Sequence, residues 1–88
     1  MKTSVQLERI FKGVANHYRI DIIKLIGKNE YIGVSEIAYY LKRNIKTISE
    51  HTYRLVKAGL INKSYLGRKV IHSLSPYGKK ILKIIKEF

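Results

Sequence analysis

Two short amphipathic segments with three residues between them constrain this chain more than any other feature. Glu36 to Leu41 predicts a helix with Ile37, Ala38 and Leu41 facing inward. Lys42-Arg43-Asn44 leaves room only for a tight turn, and Ile45 to Ala58 then predicts a second helix that stops at Gly59. Ser35 and Asn44 are placed to cap the two, since their side-chain oxygens can accept the free N–H groups of a first turn. At about 100° per residue, Ile48, Thr52, Leu55 and Gly59 fall in one narrow arc. Lys46, Ser49, Glu50, Tyr53 and Lys57 point the opposite way. A helix held in this way across a three-residue turn can lie in the roughly 12 Å major groove of DNA.

The rest of the chain supplies the remaining elements. Thr3 and Gln6 form a capping box at the start of a first helix, in which Leu7, Ile10, Phe11 and Val14 recur on one face up to the weak point at Gly13. Asn16 caps a second helix, His17 to Ile26, apolar around more than half its circumference and so expected at the centre. Tyr31-Ile32-Gly33-Val34 reads as a strand of two or three residues. Leu60–Tyr65 and Val70–Leu74 read as a hairpin around the loop Leu66-Gly67-Arg68-Lys69. Ser75-Pro76 opens a last helix striped with Ile81, Leu82, Ile84, Ile85 and Phe88. The expected fold is mainly α with a small β-hairpin wing: a winged helix-turn-helix in the order α-α-β-α-α-β-β-α, one domain over residues 1–88.

Composition narrows the function. Eighteen Lys and Arg against six Asp and Glu give a formal charge of +12, spread along the chain and heaviest at its C-terminal end. A small folded domain with that balance attracts polyanions, nucleic acid first and an anionic membrane surface second. No cysteine is present, so a disulfide framework, a thiolate metal site and a catalytic thiol are excluded. No apolar run reaches the roughly 20 residues of a membrane span, and the N-terminus lacks a signal-peptide core, so the expected location is the cytoplasm. The many Ile and Lys residues fit a thermophile or an AT-rich genome. The six carboxylates suggest no acid–base pair, and there is no nucleophile elbow or phosphate loop, so no enzyme is expected. His17, His51 and His72 sit in three elements without ligand-type partners at helical spacing, so neither a metal nor a cofactor is expected.

Ala15-Asn16-His17-Tyr18-Arg19-Ile20-Asp21-Ile22-Ile23-Lys24-Leu25-Ile26 resembles the A-D-P-T-R-L-R-I-L-x-L-L segment of ArsR-type regulators. Ile37-Ala38-Tyr39-Tyr40-Leu41, Thr47-Ile48-Ser49-Glu50-His51 and Leu55-Val56-Lys57-Ala58-Gly59-Leu60-Ile61 resemble their L-A-x-x-L, T-V-S-x-H and L-x-x-A-G-L-V stretches, without a gap. Leu74-Ser75-Pro76-Tyr77-Gly78 is similar to the L-T-P-x-G of several winged-helix families, MarR-type included. The resemblance implies DNA binding and dimerisation through the first and last helices. It does not carry over metal sensing, because the Cys pair is missing and Ser75 to Phe88 has neither Asp nor His. Thr52 stands where Leu is usual.

Lys46, Thr47, Ser49, Glu50, Tyr53 and Arg54 are the candidates for reaching base edges, Thr47 and Arg54 at the margins. Glu50 has three readings: accepting from cytosine, orienting Lys46 or Arg54, or repelling off-target DNA. Lys42, Arg43, Lys63, Arg68 and Lys69, at the turn and wing, suit phosphate contact, with the minor groove as an alternative for Arg68. Tyr39 and Tyr40 either donate to phosphates or pack under the wing; Tyr18 and Tyr77 read as core or dimer residues. Leu7, Ile10, Phe11 and Val14 with Ile81, Ile84, Ile85 and Phe88 are the candidate dimer surface, more apolar area than so short a chain can cover by itself.

The expected function is a homodimeric, sequence-specific regulator of transcription on double-stranded DNA, acting as a repressor with no small-molecule effector evident. Residues 45–58 are the recognition helix and 61–74 the wing on backbone or minor groove. The alternatives are an architectural DNA-coating protein and a protein-binding winged-helix module.

Overall fold

Four of the five helices begin where a side chain accepts a first-turn N–H, and those points set the element boundaries. In the computed structural model, which describes residues 1–88, the elements are α1 (Ser4–Val14), α2 (His17–Lys28), α3 (Val34–Leu41), α4 (Ile45–Lys57), β1 (Ile61–Leu66), β2 (Lys69–Leu74) and α5 (Pro76–Lys86). The Thr3–Gln6 capping box is formed at 3.2 and 2.9 Å. Asn16 caps α2 through Tyr18 and Arg19, and Asn44 caps α4 through Lys46. Ser75 does more than cap α5. Its Oγ accepts from the Gly78 N–H at 3.0 Å and donates to the Gly59 carbonyl at 2.6 Å, joining the last helix to the end of α4.

The core is one cluster with α2 at its centre. Ile22, Ile23 and Ile26 meet Ile37 and Ala38 of α3, Ile48 and Leu55 of α4, Ile61 and Leu74 of the hairpin, and Ile81 of α5, with Ile32 and Leu60 filling in. Each fully buried Ile or Leu contributes roughly 1.5–3 kcal/mol, so three isoleucines on α2 make it the organising helix. Thr52 is buried here too, its hydroxyl donating to the Ser49 carbonyl at 2.9 Å, so the polar atom is satisfied within α4.

The winged helix-turn-helix is present, but its order is α-α-α-α-β-β-α. The strand expected at Tyr31–Val34 is a single bridge, Ile32 to His72. Tyr31 is left-handed (φ 69°) and Gly33 already caps α3, which leaves one residue to pair. Consequently α3 starts at Val34, ahead of Ser35, and Glu36 supplies the cap by accepting from the Gly33 N–H at 3.1 Å. α2 continues to Lys28 because Gly27 keeps helical geometry. The hairpin is tighter than expected. Leu66 pairs with Lys69, leaving a two-residue Gly67-Arg68 turn with positive φ at Gly67 alone, the II′ pattern that matches strand twist.

A candidate nucleic-acid interface

The amphipathic split of α4 builds the surface. Ile48, Thr52 and Leu55 are buried, whereas Lys46, Ser49, Glu50, Tyr53, Arg54 and Lys57 are exposed and Thr47 half-buried. Tyr53 is 61% exposed, too open for a core residue. Arg54 Nη2 lies 3.4 Å from Glu50 Oε1 one turn back, an exposed pair that brings the two side chains together on this face. Lys46 and Ser49 hold no side-chain partner and stay available at the N-terminal half of the face.

The three-residue turn adds charge at a conformational cost. Lys42 is left-handed (φ 54°, ψ 48°), a region that penalises a side chain by roughly 1–2 kcal/mol and that glycine fills freely. A lysine there keeps a cation beside α4. The guanidinium of the adjacent Arg43 sits 4.8 Å from the Tyr18 ring centroid, and Tyr18 in turn stacks on His51 at 5.2 Å. Tyr18 is thus half-buried at the rim of the face, not in the core. Burial, then the nearby Arg19 charge, hold the His51 imidazole below its ordinary range.

On the wing, Lys63 and Arg68 are exposed and unpaired. Lys69 is engaged: its Nζ lies 2.7 Å from Glu36 Oε1. That hydrogen bond, with the Gly33 N–H, holds the Glu36 carboxyl below the usual carboxylate range. Tyr39 and Tyr40 stand edge to face and exposed on α3, so neither packs beneath the wing. His72 is buried at the wing base and hydrogen-bonds the Ile32 carbonyl. No three His, Asp or Glu side chains converge as metal ligands.

Three residues absent from the sequence candidates join α4 here. Arg9 and Lys12 of α1 and Arg19 of α2 line one open groove with Glu50, Arg54 and Lys57. The i, i+3 spacing of Arg9 and Lys12 puts them on one helix face, but only the packing of α1 on α4 shows what that face adjoins. Away from the cations, Leu7 and Phe11 on α1, Ile84 on α5 and Phe88 just beyond α5 are exposed. Ile10, Val14 and Ile85 lean on the core, and Ile81 belongs to it. No helix is long and apolar enough to cross a membrane.

Comparison with known proteins places the family and the fold. The model of bacterial regulatory proteins of the arsR family matches residues 17–63. HlyU from Vibrio cholerae N16961 superposes with a TM-score of 0.87 at 25% identity, over 98% of this chain and 94% of that one. The transcriptional repressor PagR of Bacillus anthracis gives 0.82 at 22% identity, over 94% and 99%. The homodimeric winged helix-turn-helix DNA-binding domain of Mb0332 from Mycobacterium bovis gives 0.83 at 23% identity, over 92% and 75%. No curated protein sequence matches the chain.

Proposed function

The chain belongs to the arsR family of bacterial regulatory proteins, and on that premise we propose that it is a homodimeric, sequence-specific DNA-binding regulator that represses transcription. The observation that carries this is the polar, net-basic face of α4, rigidly backed by Ile48, Thr52 and Leu55. A helix fixed on its inner side can present Lys46, Ser49 and Tyr53 to base edges in one register, which direct readout requires. Lys42, Arg43, Lys63 and Arg68 then hold the backbone without reading it. The 88 residues act as one domain in the cytoplasm. Two copies joined through α1 and α5 present two α4 helices to half-sites about one helical turn apart. A dimer seated on a promoter represses by occlusion, and PagR, similar in fold, is a repressor.

Selection of duplexes from a random library tests the reading. A two-fold consensus supports the regulator. Binding without enrichment identifies an architectural DNA-coating protein, which the charge of +12 would serve equally well.

A further inference from the structure

We propose that the DNA footprint extends beyond α4 onto α1 and α2, where Arg9, Lys12 and Arg19 contact successive backbone phosphates along the groove they share with Arg54 and Lys57. The inference rests on the DNA-binding reading above and adds a third phosphate-binding element to the turn and wing.

α1 packs closely against the C-terminal end of α4. A Cβ on Gly13 would collide with the Ala58 side chain, so the two helices approach at a position where only a hydrogen fits. That brings Arg9 and Lys12 alongside Arg54 and Lys57. Five cations line the groove against one carboxylate, Glu50, which Arg54 already engages. Glu8 sits 3.7 Å from Lys12, with both side chains largely in solvent, and neutralises it weakly. Arg9 and Arg19 have no acidic partner.

Arg19 lines the same groove from α2. Its Nε is buried and has no acceptor. An Nε closed to solvent lies out of an anion's reach, so a phosphate in the groove pairs with the outer nitrogens of the guanidinium, a charge-assisted contact that Arg favours. The groove is lined by Tyr53 and Glu50 of the reading face, so an anion bound there is contiguous with a duplex lying on α4. This continuity favours the phosphodiester backbone over a free phosphate ion.

Salt-dependent binding of the full chain to a random-sequence duplex of about 30 base pairs tests the proposal, with Arg9→Gln/Lys12→Gln as the main variant. Losing two phosphate contacts should lower the salt slope by roughly two units and the affinity at about 0.1 M salt by on the order of 10- to 100-fold. Lys24→Gln/Lys28→Gln removes the same charge from a shallow depression on α2 beside Asp21 and Leu41, and should change the slope by less than about half a unit. Arg19→Gln should lower it by roughly one unit; if that variant does not fold, the double variant decides. A wild-type slope in the main variant, or an equal loss in the control, overturns the groove while leaving DNA binding by α4 intact. Absence of salt-dependent wild-type binding overturns both. Inorganic phosphate shifting the Arg19 side-chain resonance, with the duplex slope unchanged in the main variant, identifies a free-anion site and overturns the footprint.

Discussion

Glu36 Oε1 receives both the Lys69 ammonium at 2.7 Å and the Gly33 N–H at 3.1 Å, so one carboxylate ties the start of β2 to the first turn of α3. The wing is therefore tethered to the helix-turn-helix, and the Lys69 ammonium already has a carboxylate partner in the free protein. Arg68, at the turn tip, carries no such partner. Arg68→Ala should lower the salt slope of duplex binding by roughly one unit, and Lys69→Ala by clearly less. Equal slopes would mean that phosphate displaces Glu36 on binding. Acidification works in the same direction as Lys69→Ala on the tether. Glu36 titrates below the ordinary carboxylate range, so its contribution is intact above that range and lost as pH falls through its lowered value.

The reading face predicts a difference between sequences. Lys46→Ala and Tyr53→Ala should each cost on the order of 1–3 kcal/mol at the selected site and less on random DNA. Both side chains are exposed, so melting should hardly change. Equal losses on both duplexes would assign these residues to the backbone. Glu50→Gln should act partly through Arg54, and the Arg54→Ala/Glu50→Gln double variant should show non-additivity if the 3.4 Å contact orients the arginine.

Gly13→Ala separates local from tertiary control. Alanine is the better helix former by about 1 kcal/mol, which alone would stabilise α1. The new Cβ meets Ala58, however, and overpacking of this kind costs roughly 1–3 kcal/mol. A lowered urea midpoint is expected, together with weaker duplex binding, because α1 carries Arg9 and Lys12 away from α4. A raised midpoint would show that α1 moves off at no cost.

Local chemistry was legible and long-range pairing was not. Thr3, Asn16, Asn44 and Ser75 were readable as caps because each acts on an N–H two or three residues away. The buried arc of Ile48, Thr52 and Leu55 followed from helical period alone. Ile32 pairs instead with His72, 40 residues on, and nothing near Ile32 says that its partner contacts only one residue. The apolar stripe on α5 was visible, but not that Ile81 enters the core while Ile84 stays out. Arg19 was not among the candidates, since nothing in the sequence places it in one groove with Arg9 and Lys12 of α1 and Arg54 and Lys57 of α4.

His72 makes stability depend on pH. Its Nδ1 lies 3.2 Å from the Ile32 carbonyl oxygen, which can only accept, so Nδ1 carries the proton of a neutral ring. Burial, partly offset by that hydrogen bond and reinforced by Lys63, pushes the imidazole below its ordinary 6.5. The unfolded chain takes up a proton near 6.5 and the folded chain resists it. Stability is thus full above that value and falls as pH drops through it. His51, also lowered, adds in the same sense. Melting at pH 5.5 should lie below melting at pH 7.5, and His72→Gln should narrow the gap. A gap of the same size in the variant would move the effect to His51 or elsewhere.

The dimer is tested at α5, where the choice of residue decides what is learned. Ile81 is 6% exposed and Ile85 half-buried against the core, so a charge at either one threatens the protomer itself. Ile84 is 45% exposed and borders an apolar trough with Leu7, Phe11 and Tyr77 between α1 and α5. Ile84→Glu therefore leaves a folded protomer intact while placing two carboxylates near a two-fold axis, one from each copy. An unpaired charge buried in apolar surroundings costs several kcal/mol, enough to dissociate a small interface. Wild type should sediment at about twice 10.3 kDa and the variant at 10.3 kDa, with an unchanged circular-dichroism spectrum. Duplex binding should weaken, because two α4 helices no longer engage together and the second contact loses its high effective concentration. Ile84→Ala, which removes apolar area without adding charge, should fall between the two. Wild type that already sediments as a 10.3 kDa monomer at micromolar concentration would remove the dimer, and with it the expectation of a two-fold operator.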